Sequence, residues 1–143
     1  MWQYGSSNVT NVVNNDQLNR KNQLASWWNN VVQPADESTC SENIFLYPVG
    51  PGVASYRDTY LNSAVPGFGY KDIYISSFAS NPDIAVPIDQ IPYNSTITSH
   101  MEYLPITVGF MAHEGCDYML LELIKQLSDV GILKTVKTGR VAF

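Results

Sequence analysis

Charge is scarce in this 143-residue chain. Charged residues make up 15% of it, well below the ~25% usual in soluble domains. The 13 acids and 8 bases give a net charge of −5 and form no run of either sign. Binding nucleic acid takes a basic face that neutralises phosphates, and none is visible. Lying on a lipid surface takes a basic amphipathic helix, which is also missing. The longest apolar run is far short of the ~20 residues that span a bilayer. Nucleic acid and membrane are therefore excluded as partners on sequence grounds. Histidine and cysteine are scarce too, at two each. His100 and His113 cannot build a three-nitrogen metal site. Cys40 and Cys116 do not make a disulfide framework, and so sparse a count reads as two free thiols.

Residues 1–8 contain neither a basic region nor an apolar core, so they read as carrying no secretory signal. Two sequons, Asn8-Val9-Thr10 and Asn94-Ser95-Thr96, match the glycan acceptor pattern. In a chain this rich in Asn, Ser and Thr, chance produces such matches. What the chain does have is apolar: hydrophobic residues reach 45%, and nine tyrosines add amphipathic surface. The length suits one domain, able to bury roughly 68–70% of its unfolded surface if it closes on itself. With so little charge to cover the outside, some surface is expected to pack against something else.

The organising stretch runs from Asn81 to Gly131. Two short apolar runs (84–88 and 104–111) followed by a leucine-rich periodic segment predict strand, strand and covering helix. Neither run alternates cleanly, so each strand is expected to be covered on both faces. Pro87 and Pro105 each lack a backbone donor and belong at strand ends or on an edge. The polar insert 89–102 reads as a loop or hairpin arm. Met119, Leu120, Leu123, Ile124, Leu127 and Val130 recur at helical spacing. Asp117 suits the helix's positive end, and Gly131 the left-handed position after its last turn.

Upstream, residues 1–15 read as a loose arm. A helix is expected over 16–32, with Leu24, Trp28, Val31 and Val32 on one face, Asp16 at its start and Pro34 ending it. A polar connection at 35–43 leads to a short strand at 44–47 that stops at Pro48. Residues 48–72, punctuated by Gly50-Pro51-Gly52 and Pro66-Gly67-Phe68-Gly69, read as a long irregular segment bordering a site or an edge. Residues 73–78 read as a short strand or bent segment. Beyond Leu133 the chain reads as a tail with a turn at Thr138-Gly139.

Chemistry-bearing residues cluster at His113-Glu114-Gly115-Cys116-Asp117. A zinc-protease helix needs a second histidine four residues after the first, and Asp117 stands there. Cysteine catalysis lacks its partners as well, so the five residues read as a turn between strand and helix. Ser6 and Ser7 with Lys21 suggest a lysine-activated serine. That chemistry needs a tight turn aiming backbone donors at the oxyanion, and here a single glycine precedes them. Asp83, Asp89 and Glu102 lie near the apolar strands and read equally well as solvated strand-end residues.

The series Asn81-Pro82-Asp83-Ile84-Ala85-Val86-Pro87-Ile88, then Leu104-Pro105-Ile106-Thr107-Val108-Gly109-Phe110-Met111-Ala112, then Gly115-Cys116-Asp117 with Leu120-Leu121 resembles the C-terminal end of amidase-signature hydrolases. Within that family it is most similar to the fungal amidase-like branch. Val86-Pro87-Ile88-Asp89-Gln90 and Pro92-Tyr93-Asn94-Ser95 stand where that branch has its strand and Tyr-Asn-Ser-type loop. Asp89 replaces the usual glycine, which puts the local turn in question. The resemblance covers residues 16–133. It implies an α/β fold with a partial mixed β-sheet and flanking helices, forming one partial domain over 1–143.

For a complete relative the resemblance also implies hydrolysis of a small amide by a Ser–Ser–Lys triad. The family's lysine and its nucleophile segment lie upstream of the matching region, and Ser6, Ser7 and Lys21 match neither. No catalytic, cofactor-binding or metal-binding residue is carried over. The expected protein is a C-terminal amidase-like piece that is inactive alone. The alternative is a non-catalytic binding or assembly module that homodimerises through a sheet edge or helix face.

Overall fold

The computed structural model of the chain describes residues 2–49, 53–56 and 71–134. Most of segment 48–72 and the turn at Thr138-Gly139 lie outside them. Four α-helices and two small antiparallel sheets make up the described part. The fold is therefore α/β, but every strand pairing among the described residues is antiparallel. This corrects the expected mixed sheet. Consecutive strands joined by a tight turn, as here, pair antiparallel because a parallel pair needs a long crossover.

The N-terminal region is helical, which corrects the loose arm. Helix α1 covers Trp2–Asn8 and α2 covers Asn11–Trp27. Thr10, not Asp16, caps α2: its side chain accepts from Val13 N–H at 3.3 Å. Asp16 instead pairs with Arg20 one turn on, at 2.9 Å. No residue of α2 is fully buried; it meets the core only near its end, where half-buried Ala25 packs against the Trp28 cluster. There the chain loosens into a π-turn, Trp28–Val32, closed by Gln33 N–H on Trp28 O at 2.8 Å. The extra residue per turn turns Trp28 inward, 5% exposed, while Trp27 and Val31 stay 51% and 66% exposed. The expected shared face of Trp28 and Val31 is broken by that change of pitch.

After the π-turn, β1 (Ala35–Asp36) and β2 (Cys40–Ser41) form a miniature hairpin. The main sheet follows, from β3 (Phe45–Pro48), β4 (Asp83–Asn94) and β5 (Met101–Met111), in the order β3-β5-β4. The insert 89–102 is thus the outer half of a β4–β5 hairpin. Pro87 lies beside a bulge that leaves Ile88 out of the ladder. Pro105 lies on the central strand, but β3 reaches only Val108 to Met111. At Pro105 no described strand pairs with the far side of β5, a place where a strand tolerates a residue without a donor.

Residues 73–78, expected as a short strand or bent segment, give a short helix α3, Tyr74–Ala79, with Ile73 just before it. Ile75 and Ala79, four apart, both bury against the Trp28 cluster, and Ser80 ends the helix in the left-handed region at φ 62°. Tertiary burial at helical spacing overrode the β-leaning local composition. Helix α4, Asp117–Asp129, matches expectation, with Gly131 at φ 77° and Ile132 N–H closing on Leu127 O at 2.9 Å.

Among the described residues the sheet is covered on both faces at one end only. On one face Trp28, Tyr47, Ile75, Ala79 and Met111 form a core; on the other Ala112, Cys116 and Leu120 pack with Ile84 and Phe110. The outer half of the hairpin lacks such clusters: Ile88 and Met101 are 41% and 53% exposed. Among the described residues the two clusters therefore reach these strands only at their Asp83–Met111 end, where Ala85 is still exposed.

One close approach fixes the covered end. Tyr47 faces Gly109 across the ladder, and a Cβ there would lie 2.4 Å from the tyrosine ring. That ring stacks on Phe45 and hydrogen-bonds Asp83, so it has little freedom to retreat. Gly109→Ala is expected to destabilise the protein by about 1–3 kcal/mol through overpacking. Gly5→Ala, in an open helical position, should gain up to about 1 kcal/mol. Urea titration of both variants checks this; equal midpoints would show that Tyr47 can swing aside.

Candidate functional site

At the covered end of the sheet, regular structure stops on several strands and helices at once. The carbonyls of Val32, Ala79, Met111 and Ala112 all fall where a π-turn, a helix or a strand gives out. Buried backbone acceptors must find donors, and here four side-chain amides supply them, Asn43 Nδ2 reaching Val32 O at 2.9 Å. Gln33, wholly buried, donates from Nε2 to Met111 O at 2.6 Å and to Asn43 O at 3.4 Å. Asn81, 5% exposed, donates from Nδ2 to Ala112 O at 2.7 Å, Asn29 Oδ1 at 3.0 Å and Gln33 Oε1 at 3.2 Å. Asn29 Nδ2 donates to Ala79 O at 2.9 Å, and Trp28 Nε1 to Gln33 Oε1 at 3.2 Å. Three acceptors converging on Asn81 Nδ2 fix the amide's orientation. Its Oδ1 is left buried without a partner among the described residues.

His113 joins the same cluster. Its Nδ1 lies 2.8 Å from Gln33 O; a carbonyl only accepts, so Nδ1 carries the proton. Its backbone N–H donates to Ser41 Oγ at 3.0 Å, and that hydroxyl donates to Asn43 O at 2.7 Å. Glu114 and Asp117 are exposed. Cys116 is not a free thiol: it forms a disulfide with Cys40, with the Cα atoms 5.8 Å apart. This overturns the reading of two free thiols and removes Cys116 as a nucleophile. A count of two could not reveal it, because the partners are 76 residues apart and meet only through the fold.

The disulfide ties the β1–β2 hairpin to the N-terminus of α4. Within that hairpin Asp36 Oδ1 accepts from Ser38 N and Thr39 N, each at 2.8 Å, and from both hydroxyls. These bonds, the Ser38 hydroxyl foremost, hold the Asp36 carboxyl well below the usual carboxylate range. A shallow groove of about 480 Å³ runs between Ser41, Asn43 and Ile44 on one side and Tyr118, Met119, Glu122 and Leu123 on the other.

A second constellation lies on the sheet itself. Tyr47, 6% exposed, donates its hydroxyl to Asp83 Oδ2. Burial, then the Asp83 hydrogen bond and charge, push the Tyr47 phenol well above its ordinary value. Asp83 Oδ1 is buried without a partner among the described residues. Asp89 lies past the bulge, where its Oδ1 accepts from Gln90 N at 2.8 Å. It is not among the described residues with positive φ, so aspartate meets no backbone strain where the resembled family has glycine. Glu102 accepts from Tyr93 OH at 2.6 Å and Thr98 Oγ1 at 2.7 Å, closing the hairpin tip. His100 is exposed in that turn.

Ser6 donates to Gln3 O at 3.0 Å on exposed α1, and Lys21 lies on α2. Among the described residues no hydrogen bond joins a serine to a lysine, and no three His, Cys, Asp or Glu converge as metal ligands. The structure thus brings together His113, Cys116 and, through the disulfide, the β1–β2 hairpin; it does not bring Ser6, Ser7 or Lys21 to either constellation. Gln33 and Asn81 carry most of the buried polar contacts, and sequence reasoning assigned them no role. The one available signal was that each amide stands directly before a proline, Gln33 before Pro34 and Asn81 before Pro82.

The class these features define is an α/β protein with antiparallel sheets clamped by buried amides. No protein-family model matches the chain, and no solved structure matches it. What the buried amides can do chemically is donate and accept hydrogen bonds.

Two outcomes are expected. Closing a loop of this length constrains the unfolded chain by about 4–5 kcal/mol on the chain-entropy account, so reduction should lower the urea midpoint accordingly. Tyr47 has a raised folded value, so its contribution is whole below the unfolded pKa of ~10 and fades as pH climbs above it. Stability between pH 9 and 11 should therefore fall, and Tyr47→Phe should flatten that slope while costing about 1–3 kcal/mol at neutral pH by stranding Asp83.

Proposed function

We propose that this chain is part of the sheet of an amidase-like hydrolase and does not itself cleave amides. The observation that carries the reading is the half-covered sheet. Strand β4 runs twelve residues, yet among the described residues helices cover both faces at only one end, and its outer edge pairs with no described strand. Leu46, Leu121 and Tyr118 are 55%, 58% and 81% exposed. Each large apolar side chain left in water forgoes roughly 1.5–3 kcal/mol of burial, against a net stability of ~5–15 kcal/mol. Such a surface suits a piece of a larger sheet. The ordered motifs along β4, β5 and α4 supply the family. In this reading the reaction is attack of a serine on an amide carbonyl followed by hydrolysis of the acyl intermediate. The serine and lysine that perform it are not among the residues described.

A second reading, a binding module that dimerises, draws on the same unpaired edge. Pro87 and Pro92 on β4 and the bulge at Ile88 work against it, since such features blunt an edge.

Purified chain is expected to release no product from simple aliphatic and aryl amides above the buffer blank. Turnover abolished by a serine-directed phosphonate would overturn the proposal. Sedimentation of the same sample separates the readings: a cooperative, compact dimer favours the module, and a self-associating mixture of sizes favours the incomplete sheet.

A further inference from the structure

We propose that Asn94 is the acceptor of an N-linked glycan and that Asn8 is not, an inference that does not rest on the amidase-like reading. Both lie in Asn-X-Thr sequons, and their surroundings differ in the atoms that glycan transfer uses. Asn94 is exposed at the end of β4, opposite Met101 at the mouth of the hairpin turn. Its side-chain amide makes no hydrogen bond to the described residues, and neither does the hydroxyl of Thr96, which is also exposed. The turn around them is held by other groups. Ser95 N–H donates to His100 O at 3.0 Å, Thr98 N–H to Ser95 Oγ at 3.3 Å, and Thr96 N–H to Tyr56 OH at 3.1 Å. A bulky polar substituent on Asn94 enters water and displaces no packed side chain.

Asn8 presents the opposite case. It is the last residue of α1, and its Nδ2 donates to Tyr4 O at 2.9 Å. Thr10, which completes its sequon, is occupied as the cap of α2, accepting from Val13 N–H at 3.3 Å. Modifying Asn8 would take both groups out of service at once.

The disulfide is the independent observation. A Cys40–Cys116 bridge forms and persists in oxidising compartments such as the secretory lumen, where sequons are also modified. In the transfer, Asn94 Nδ2 bonds to the anomeric carbon of an oligosaccharide carried on a lipid pyrophosphate. The carbon–oxygen bond to the pyrophosphate breaks, the pyrophosphate leaves with the electron pair, and one amide proton passes to base.

The test places the full chain behind a cleavable leader in a eukaryotic secretory host. Chain with the leader removed is collected from cells and medium and run on denaturing gels with and without peptide N-glycosidase; peptide mass spectrometry locates the glycan. One glycan is expected, at Asn94, lost in Asn94→Gln and Thr96→Ala and kept in Asn8→Gln and Thr96→Ser. Because the gel reads denatured chain, a variant that folds poorly still reports. Leader-free chain with no glycosidase-sensitive shift, or with a glycan at Asn8, overturns the proposal.

Discussion

Burying an amide in a protein interior is worthwhile only when its hydrogen bonds are met. Gln33 takes up the carbonyls of Met111 and Asn43, and Asn81 spends its Nδ2 on Ala112 O, Asn29 and Gln33, while its Oδ1 stays without a partner among the described residues. Gln33 follows the π-turn, Asn81 precedes β4, and both reach the carbonyls that end β5. They also touch each other. Residues far apart in sequence thus converge on one point, and the helical layer is held to the sheet there. The apolar cluster of Trp28, Tyr47, Ile75 and Met111 is packed around that clamp. Trp28 belongs to both, through its indole N–H on Gln33.

The same clamp explains why the sheet is finished at one end. On one face the π-turn and α3 are pulled onto 83–86 and 108–111. On the opposite face the disulfide brings α4's first turn, with Leu120, against Ala112, Ile84 and Phe110. Beyond the bulge at Ile88 no described helix covers the hairpin, which is supported by its own ladder, the Tyr93–Glu102–Thr98 contacts and the Tyr56 hydroxyl on Thr96 N–H. A half-finished sheet is the physical basis for reading the chain as part of something larger.

Some of this was legible in the residues. Leucine spacing located α4, and the glycine at its end took the expected left-handed backbone. The two apolar runs located the β4–β5 hairpin, and Pro48 marked the end of β3. Other features were hidden for identifiable reasons. A six-residue run such as Tyr74–Ala79 fits strand or helix equally well until its burial partners are known. The first fifteen residues have no apolar periodicity, and their helices rest on a threonine cap and local pairs. Nothing in the composition of Gln33 or Asn81 distinguishes a buried clamp from a surface amide. The distinction arises only when carbonyls from elsewhere in the chain arrive beside them. The disulfide was concealed in the same way.

The most direct test of the clamp is a double-mutant cycle on Gln33 and Asn81, each replaced by alanine and unfolded in urea under oxidising conditions. If the two amides act as one device, the paired replacement should cost less than the sum of the single ones, with a coupling of at least about 1 kcal/mol. Costs that add to within about 0.3–0.5 kcal/mol, as for independent sites, would contradict the account.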